Sequence, residues 1–350
     1  MKIEVYSPTI RRKEMDAVLT AMVDDKLGPG GESKSLIQTA KERIKFDYCI
    51  AFRSPAFALS LALKSLNLNP GQGVIISALS PPYYAKVLLD LGLEAVYSDI
   101  LPSTCCIGLQ TIEKALSEKN AGLDVRCIIA HNTMGYVSDL SSLVDFGIPI
   151  IDDSSQSYGT GPAEEEENAL NGVFTILGLE EKDMLTSGGG ALLYAMQRRD
   201  GAVLRGIGEL PPEYGLPDMN AAMAVVQFRE SAKNISRRGE IANLYTQSAL
   251  RTSHKRLVQP NSGSTSMEYN NYAFPLILEK GVKDVKAYAR RKEIIVENAF
   301  ENSLIGIGLV PPEQCPNAYS LSLRTVLFPL YPRLSSRDAD KIAKLIQTLP

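Results

Sequence analysis

Residues 148–153 have the sequence IPIIDD, an apolar run that ends in two carboxylates. Short apolar runs of this kind are typical of strands that are buried on both faces of a sheet. Similar runs lie on both sides of it in the chain, and segments with helical apolar spacing accompany them. The predicted strands are 74–76, 95–97, 126–130, 148–151, 173–177 and 191–194, and the predicted helices among them are 57–66, 83–91 and 111–119.

This alternation of strands and helices indicates an α/β fold with a mixed, mostly parallel sheet that is covered by helices on both faces. Ligands of such sheets bind beyond the carboxyl ends of the strands. The side chains that directly follow the strands are therefore the candidate site residues.

The pattern changes after about residue 217. Two long helical segments are predicted at 218–231 and 235–250, followed by a strand at 272–278 and helices at 282–291 and 336–347. A chain of 350 residues is long for a single core. We therefore expect a large α/β domain over residues 1–235 and a small C-terminal α+β domain over residues 236–350, with the long helical segment as the connector.

Composition argues against several classes of protein. The formal net charge is −3, so no global basic field attracts nucleic acid or anionic lipid. Five cysteines without CxxC spacing and only two histidines argue against a disulfide framework and a metal site. With no signal-peptide pattern and no run of 18 apolar residues, we expect a cytoplasmic protein that does not span a membrane. The acidic run 164–167 and the polar segment 261–266 are interpreted as solvated loops.

Three positions near these strand ends are candidates for chemistry. Asp153 could hold the protonated ring nitrogen of a ligand, with a helix N-cap or a salt bridge as the alternative. Lys182 precedes the glycine-rich segment 186–190 and could act as a Schiff-base nucleophile if its neighbours lower its pKa; an ordinary surface lysine is the alternative. Ser54 lies just before a predicted helix, whose N-terminal N–H groups suit an anion, and a plain N-cap is the alternative there.

In order and spacing, these segments resemble the DegT family of nucleotide-sugar aminotransferases, which depend on pyridoxal 5′-phosphate (PLP). The resemblance extends over essentially the whole chain. It rests on these segments: IDDSSQSYG at 151–159, KDMLTSGGG at 182–190, HNTMG at 131–135, DMNAA with a later glutamine at 218–227, CP at 315–316 and FPLYPRL at 328–334.

The resemblance implies an aspartate-aminotransferase-like fold (PLP fold type I) with PLP as the cofactor. It implies that Lys182 is the catalytic lysine that joins the cofactor, that Asp153 binds the pyridine nitrogen and that Gln156 lies beside the cofactor's O3′. The family acts on nucleotide-linked keto sugars in amino-sugar and polysaccharide biosynthesis, usually with glutamate as the amino donor. Its active site normally lies at a dimer interface, so a homodimer is expected.

The segment that corresponds to the family's phosphate-binding loop departs from the pattern. Pro55 replaces a glycine and has no N–H, and Ala56 replaces a threonine. The family's ring-stacking aromatic falls at Pro81, and its serine before the lysine is Leu177. Glu213 aligns with an asparagine that reaches the phosphate from the partner subunit, where a carboxylate would repel it. Each lost charge-assisted hydrogen bond is worth about 1.5–3 kcal/mol, so these changes predict weaker cofactor binding.

Two functions of different classes remain open. The first is a PLP-dependent aminotransferase that acts on a nucleotide-linked keto sugar. The second is a PLP-free homologue that acts as a binding or regulatory subunit. A different PLP reaction on the same fold is a minor option, because the family's sugar dehydratases have histidine where this chain has Lys182.

Overall fold

A computed structural model describes residues 2–117, 122–162, 172–258, 267–279 and 281–350. The strands, in chain order, are β1 Tyr48–Phe52, β2 Gly73–Ser77, β3 Glu94–Ser98, β4 Val125–His131, β5 Ile150–Asp153, β6 Gly161–Pro162, β7 Phe174–Gly178, β8 Ala191–Ala195, β9 Met267–Glu268, β10 Phe274–Ile277, β11 Glu297–Asn298 and β12 Thr325–Phe328. The helices are α1 Arg12–Val23, α2 Gly31–Ile44, α3 Pro55–Ser65, α4 Tyr83–Asp90, α5 Leu109–Ser117, α6 Ser141–Val144, α7 Arg198–Arg205, α8 Asp218–Ala249, α9 Val282–Arg291, α10 Pro316–Arg324 and α11 Ser336–Gln347.

Seven of these strands form the central sheet, in the order β1-β8-β7-β5-β4-β2-β3. Strand β8 runs antiparallel to both of its neighbours, and the other neighbouring pairs are parallel. The predicted fold class, a mixed and mostly parallel sheet in an α/β protein, is confirmed. Every residue of β2, β7 and β8 is buried, which explains why these strands are continuous apolar runs rather than alternating ones.

The strand that contains the two aspartates begins later than the sequence indicates. The prediction places it at 148–151, whereas β5 spans Ile150–Asp153. Pro149 has no N–H to give to a ladder, and the pairing of β5 with β4 and β7 continues through both aspartates. The carboxylates are therefore part of the strand end itself.

The two long helical segments predicted at 218–231 and 235–250 are a single helix, α8. No glycine or proline occurs at 232–234 to interrupt it. Helix α8 packs against α1, α2 and α11. Arg238, buried on α8, donates from Nη1 to the backbone oxygens of Tyr272 (2.8 Å) and Leu330 (2.9 Å), which ties the helix to the C-terminal region.

The C-terminal region has a core of its own. Strands β10, β12 and β11 form an antiparallel three-stranded sheet, as the α+β pattern predicts. Tyr245 of α8, Phe274 of β10 and Ile342 of α11 are among the residues that fill this core. The predicted boundary near residue 235 falls inside α8 and stays a prediction.

Some expectations lie outside the described residues. These are the solvated loops at 164–167 and 261–266 and the end of the predicted helix at 118–119. Within the described residues, no helix combines the length and the apolar character needed to cross a membrane. Over the same residues, no group of three or more His, Cys, Asp or Glu side chains is arranged to hold a metal ion.

Candidate active site

Two titratable side chains meet at the carboxyl edge of the central sheet. His131 ends β4 and Asp153 ends β5, and the two residues are partners in the parallel register of these strands. Both are almost completely buried, with the His131 Nδ1 3.6 Å from the Asp153 Oδ2. The edge that the topology rule assigns to ligands therefore carries a buried acid and a buried imidazole.

A cavity of about 160 Å³ lies at the same edge. Three residues predicted from the sequence, Lys182, Gln156 and Pro81, line it. The other lining residues come from segments that are far apart in the chain, among them Tyr6, His131, Tyr272 and residues 297–303. The fold therefore brings the predicted lysine and glutamine together in one space.

Lys182 is exposed and reaches the cavity from the loop that follows β7. Two tyrosines fix its position: the Tyr272 hydroxyl donates to the Lys182 carbonyl oxygen at 2.5 Å, and the Lys182 Nζ lies 5.1 Å from the centroid of the Tyr6 ring. A cation over a ring face is attracted by the ring quadrupole. The backbone of this loop is therefore anchored while the amine stays accessible.

The glycines after Lys182 serve a tight return of the chain into β8. Gly190 has φ +120°, and a Cβ there would lie 2.4 Å from the Leu216 Cδ1 and 3.2 Å from the Phe52 carbonyl oxygen. Only glycine tolerates both the dihedral angle and the close approach. The glycine-rich segment is explained by the turn itself.

Asp153 accepts hydrogen bonds on both carboxylate oxygens. Oδ1 accepts from the Ser155 N–H (2.9 Å) and the Ser155 hydroxyl (2.5 Å), and Oδ2 accepts from the Tyr84 hydroxyl. Burial alone would raise the pKa of Asp153, but His131, Ser155 and Tyr84 stabilise the charged form and hold its pKa below the usual value. Asp153 is therefore an ionised, buried acceptor, 1% exposed.

Gln156 lines the cavity with its amide oriented by the backbone. Its Oε1 accepts from the Met134 N–H at 2.6 Å, and its own carbonyl oxygen accepts from the Asn270 Nδ2 at 2.7 Å. Met134 has φ +57°, a conformation that is uncommon for a residue other than glycine. Two remote segments thus hold Gln156 in place.

The predicted phosphate-binding segment lies at the start of α3. Ser54 caps this helix, with its Oγ accepting from the Phe57 N–H at 3.4 Å, as the N-cap alternative expects. Pro55 is the first helical residue and has no N–H, and Ala56 has no hydroxyl. None of the residues 54–56 lines the cavity that contains Lys182.

Tyr83 and Tyr84 are the residues that sequence reasoning did not place in the site. Both hydroxyls point at the Asp153 Oδ2, with that of Tyr83 at 3.5 Å. Their rings pack edge to face, with centroids 4.9 Å apart. The two adjacent tyrosines were a visible signal, but nothing in the sequence shows that they reach β5 from α4.

The sequence matches the model of the DegT/DnrJ/EryC1/StrS aminotransferase family over residues 8–347. The chain belongs to this family. The pyridoxal phosphate-dependent aminotransferase EpsN of Bacillus subtilis is 24% identical over 316 residues, which cover 85% of this chain and 80% of EpsN. The L-glutamine:2-deoxy-scyllo-inosose aminotransferase of Streptomyces lividus is 27% identical over 190 residues, which cover 50% of this chain and 43% of that protein.

Solved structures of aminotransferases share the fold. The aminotransferase TlmJ from Streptoalloteichus hindustanus superposes with a TM-score of 0.86 at 18% identity, covering 99% of this chain and 98% of that one. The PLP form of the sugar aminotransferase Spr1654 from Streptococcus pneumoniae gives 0.85 at 18% identity, covering 99% and 98%. The predicted PLP fold type I is confirmed, and the family and its relatives indicate pyridoxal phosphate as the cofactor.

The residues of this chain fit PLP at one end of the site and not at the other. Lys182 and Gln156 line one cavity, as the aldehyde end of the cofactor requires. At the opposite end, both oxygens of Asp153 already accept hydrogen bonds within the protein. At the α3 N-terminus, Pro55 offers no N–H and the N–H of Phe57 is bonded to Ser54. The ring nitrogen and the phosphate therefore lack the partners that the family pattern provides.

Asp183, next to the lysine, should make stability fall as the pH rises. Burial raises the pKa of Asp183 to about 8. A carboxyl group whose pKa is raised in the folded state contributes its full stabilisation when the pH lies below its pKa in the unfolded chain. That contribution is lost as the pH rises through the folded-state pKa of about 8. For a fully buried group, the free energy of unfolding would fall by about 1.4 kcal/mol per pH unit. The fall is smaller here because the Asp183 side chain is partly exposed. Between pH 6 and 9, the melting temperature of Asp183→Asn should change less with pH than that of the wild type.

The exposed neighbour Glu181 provides the control for this measurement. Glu181→Gln should keep the wild-type pH dependence. Equal slopes in Asp183→Asn and the wild type would show that Asp183 is already ionised in the folded protein at pH 6.

Proposed function

We propose that this chain is an aminotransferase that moves an amino group to a nucleotide-linked keto sugar, with PLP as the cofactor and glutamate as the donor. The observation that supports it best is the shared cavity of Lys182, Gln156 and His131 at the carboxyl edge of the sheet. The sugar aminotransferase Spr1654 supports a sugar as the substrate, and the 2-deoxy-scyllo-inosose aminotransferase supports a cyclic polyhydroxylated ketone as the amino acceptor. Amino-sugar and polysaccharide biosynthesis is the pathway type that we propose, in the cytoplasm.

The roles of the chain's own residues follow from their contacts. PLP, when bound, supplies a ring that withdraws electrons from the reacting carbon. Lys182 would join the cofactor and carry the proton at its Nζ, because its amine is exposed in the cavity. The Tyr272 hydroxyl would hold the Lys182 backbone in place, and the Met134 N–H would fix the orientation of the Gln156 side-chain amide. The substrate would lie among Tyr6, Lys182 and residues 297–303.

We also propose a homodimer, in keeping with the family. The outer face of α1 supports this part. Met15, Leu19, Met22 and Val23 are 57%, 58%, 51% and 74% exposed, and their spacing of four, three and one residues places them on one side of the helix. A face of this kind is suited to burial against a second copy. A monomeric mass in light scattering would contradict the homodimer.

The test of the activity follows the amino group itself. Purified protein with PLP, ¹⁵N-glutamate and a panel of nucleotide-linked keto sugars should give ¹⁵N-labelled amino sugar, detected by mass spectrometry. Label in no sugar of the panel, with protein that carries the cofactor, would contradict the proposed substrate class. Label that persists in Lys182→Ala would contradict the proposed catalytic residue.

A second function is favoured by a specific observation. The hydrogen bonds that occupy Asp153 and the loss of donors at Pro55 and Ala56 suit a PLP-free homologue that acts as a binding or regulatory subunit. A calorimetric titration separates the two functions. Tight PLP binding to the wild type eliminates the second, and no heat of binding at millimolar PLP eliminates the first.

A further inference from the structure

The carboxylate of Asp153 is enclosed on both oxygens. Ser155 gives two hydrogen bonds to Oδ1, while the hydroxyl of Tyr84 donates to Oδ2. Tyr83 (3.5 Å) and His131 (3.6 Å) approach the same Oδ2. An ionised carboxylate has about four lone-pair positions. These neighbours use or cover all of them, so a ligand nitrogen finds no open position on Asp153.

The tyrosine that takes Oδ2 is held firmly. Tyr84 is fully buried, as the second residue of α4, which starts directly after Pro81 and Pro82. Its ring packs edge to face on Tyr83 and lies 5.9 Å from the His131 ring. Side chains in close-packed interiors keep one rotamer unless the core repacks. The hydroxyl therefore does not leave Asp153 by a simple side-chain rotation.

The hydroxyl of Tyr84 is a donor in the same sense as a protonated pyridine nitrogen. Burial and the nearby charge of Asp153 raise the pKa of Tyr84 well above its usual value, so the proton stays on the hydroxyl. A protonated ring nitrogen would likewise donate one hydrogen bond to this carboxylate. Tyr84 and the ring would compete for one acceptor.

We infer that Tyr84 holds the position at Asp153 that the ring nitrogen of PLP would need, and that this side chain weakens cofactor binding in this chain. The inference rests on the proposed function, since it concerns the cofactor of that reaction. It assigns to Tyr84 a role in setting the affinity for PLP, and it leaves Lys182 as the principal attachment.

The experiment compares PLP affinity in three variants and the wild type. Tyr84→Leu removes the hydroxyl and shortens the side chain, so that it no longer reaches Asp153. Tyr84→Phe removes the hydroxyl but keeps the ring. Tyr245→Leu replaces an equally buried tyrosine in the C-terminal core and controls for a general loosening of the protein. Affinity is measured from the absorbance of the PLP-bound lysine, and circular dichroism confirms that each variant is folded.

Tyr84→Leu should bind PLP at least tenfold more tightly than the wild type, because a charge-assisted hydrogen bond to Asp153 becomes available. Tyr84→Phe should also bind PLP more tightly than the wild type, but by less than Tyr84→Leu, because the Oδ2 of Asp153 is freed while the ring still fills part of the space. Tyr245→Leu should not gain affinity. If Tyr84→Leu does not fold, Tyr84→Phe decides: a gain in PLP affinity supports the inference, and an affinity equal to or below that of the wild type overturns it.

The outcomes separate the inference from the proposed function. If the wild type binds PLP through Lys182 and folded Tyr84→Leu binds it no more tightly, the inference is wrong and the proposed aminotransferase function is unaffected. Binding only to Tyr84→Leu supports the inference and overturns the aminotransferase. If neither the wild type nor Tyr84→Leu binds PLP, both the inference and the proposed aminotransferase function are wrong.

Discussion

Lys182→Ala should abolish the cofactor-derived absorbance and lower the rate of amino transfer by about 10³-fold or more. Lys182 is the one predicted nucleophile that lines the cavity together with Gln156 and His131. Its removal would take away both the attachment to the cofactor and the group that carries the proton. The measurements are the near-ultraviolet and visible spectrum with added PLP and the transfer of ¹⁵N from glutamate.

The fold should not respond to this substitution. Lys182 is exposed, and surface substitutions change the free energy of unfolding by about 0.5 kcal/mol or less. Its carbonyl oxygen, which accepts from Tyr272, is unaffected by a change of side chain. Glu181→Gln is the matched control and should keep both the spectrum and the activity. An unchanged spectrum in Lys182→Ala would show that another group holds the cofactor.

Asp153→Ala should lower the free energy of unfolding by about 3–5 kcal/mol. The substitution leaves the Tyr84 hydroxyl and the N–H and hydroxyl of Ser155 without the acceptor that they share. Buried donors that lose their partner cost about 1–3 kcal/mol each. The shift in the urea midpoint, measured at pH 7, gives the size of the effect.

Asp152→Ala is the matched control for this variant. Asp152 is partly exposed and accepts one side-chain hydrogen bond, from the Asn132 Nδ2 at 2.8 Å. Its loss should cost about 1 kcal/mol. If Asp153→Ala cost no more than Asp152→Ala, Asp153 would not be the centre of the buried network.

The same network predicts a loss of stability in acid. The pKa of Asp153 is held below its ordinary value in the folded protein. A carboxylate of this kind contributes stability above its unfolded pKa, and the contribution disappears as the pH falls through the folded value. The wild type should therefore lose stability below about pH 4, and Asp153→Ala should lose less over the same range.

Much of the sheet could be predicted from the sequence, since buried strands are short apolar runs between turn residues. The runs at 74–76 and 191–194 lie inside β2 and β8. The end of β5 could not be predicted, because pairing with β4 and β7, not hydrophobicity, carries the strand through Asp152 and Asp153. The continuity of α8 could have been predicted, because residues 232–234 contain no glycine or proline.

Some features of the candidate site could likewise be predicted from the sequence, and others could not. The cavity shared by Lys182 and Gln156 was expected, because family motifs mark both residues. The contributions of Tyr6 and Tyr272 were not, since these residues are more than 85 positions from Lys182 in the sequence and meet it only in the fold. The hydroxyl of Tyr84 on Asp153 belongs to this second group. Sequence motifs identify which side chains a site contains, while packing decides which of them remain free for a ligand.

The central claim is that Lys182 is the residue that joins the cofactor in this family member. Incubation with PLP, reduction with borohydride and proteolysis, followed by mass spectrometry of the peptides, tests it most directly. We predict a single phosphopyridoxyl group on the side-chain nitrogen of Lys182. An adduct spread over other lysines, or none at all with folded protein at saturating PLP, would contradict the claim.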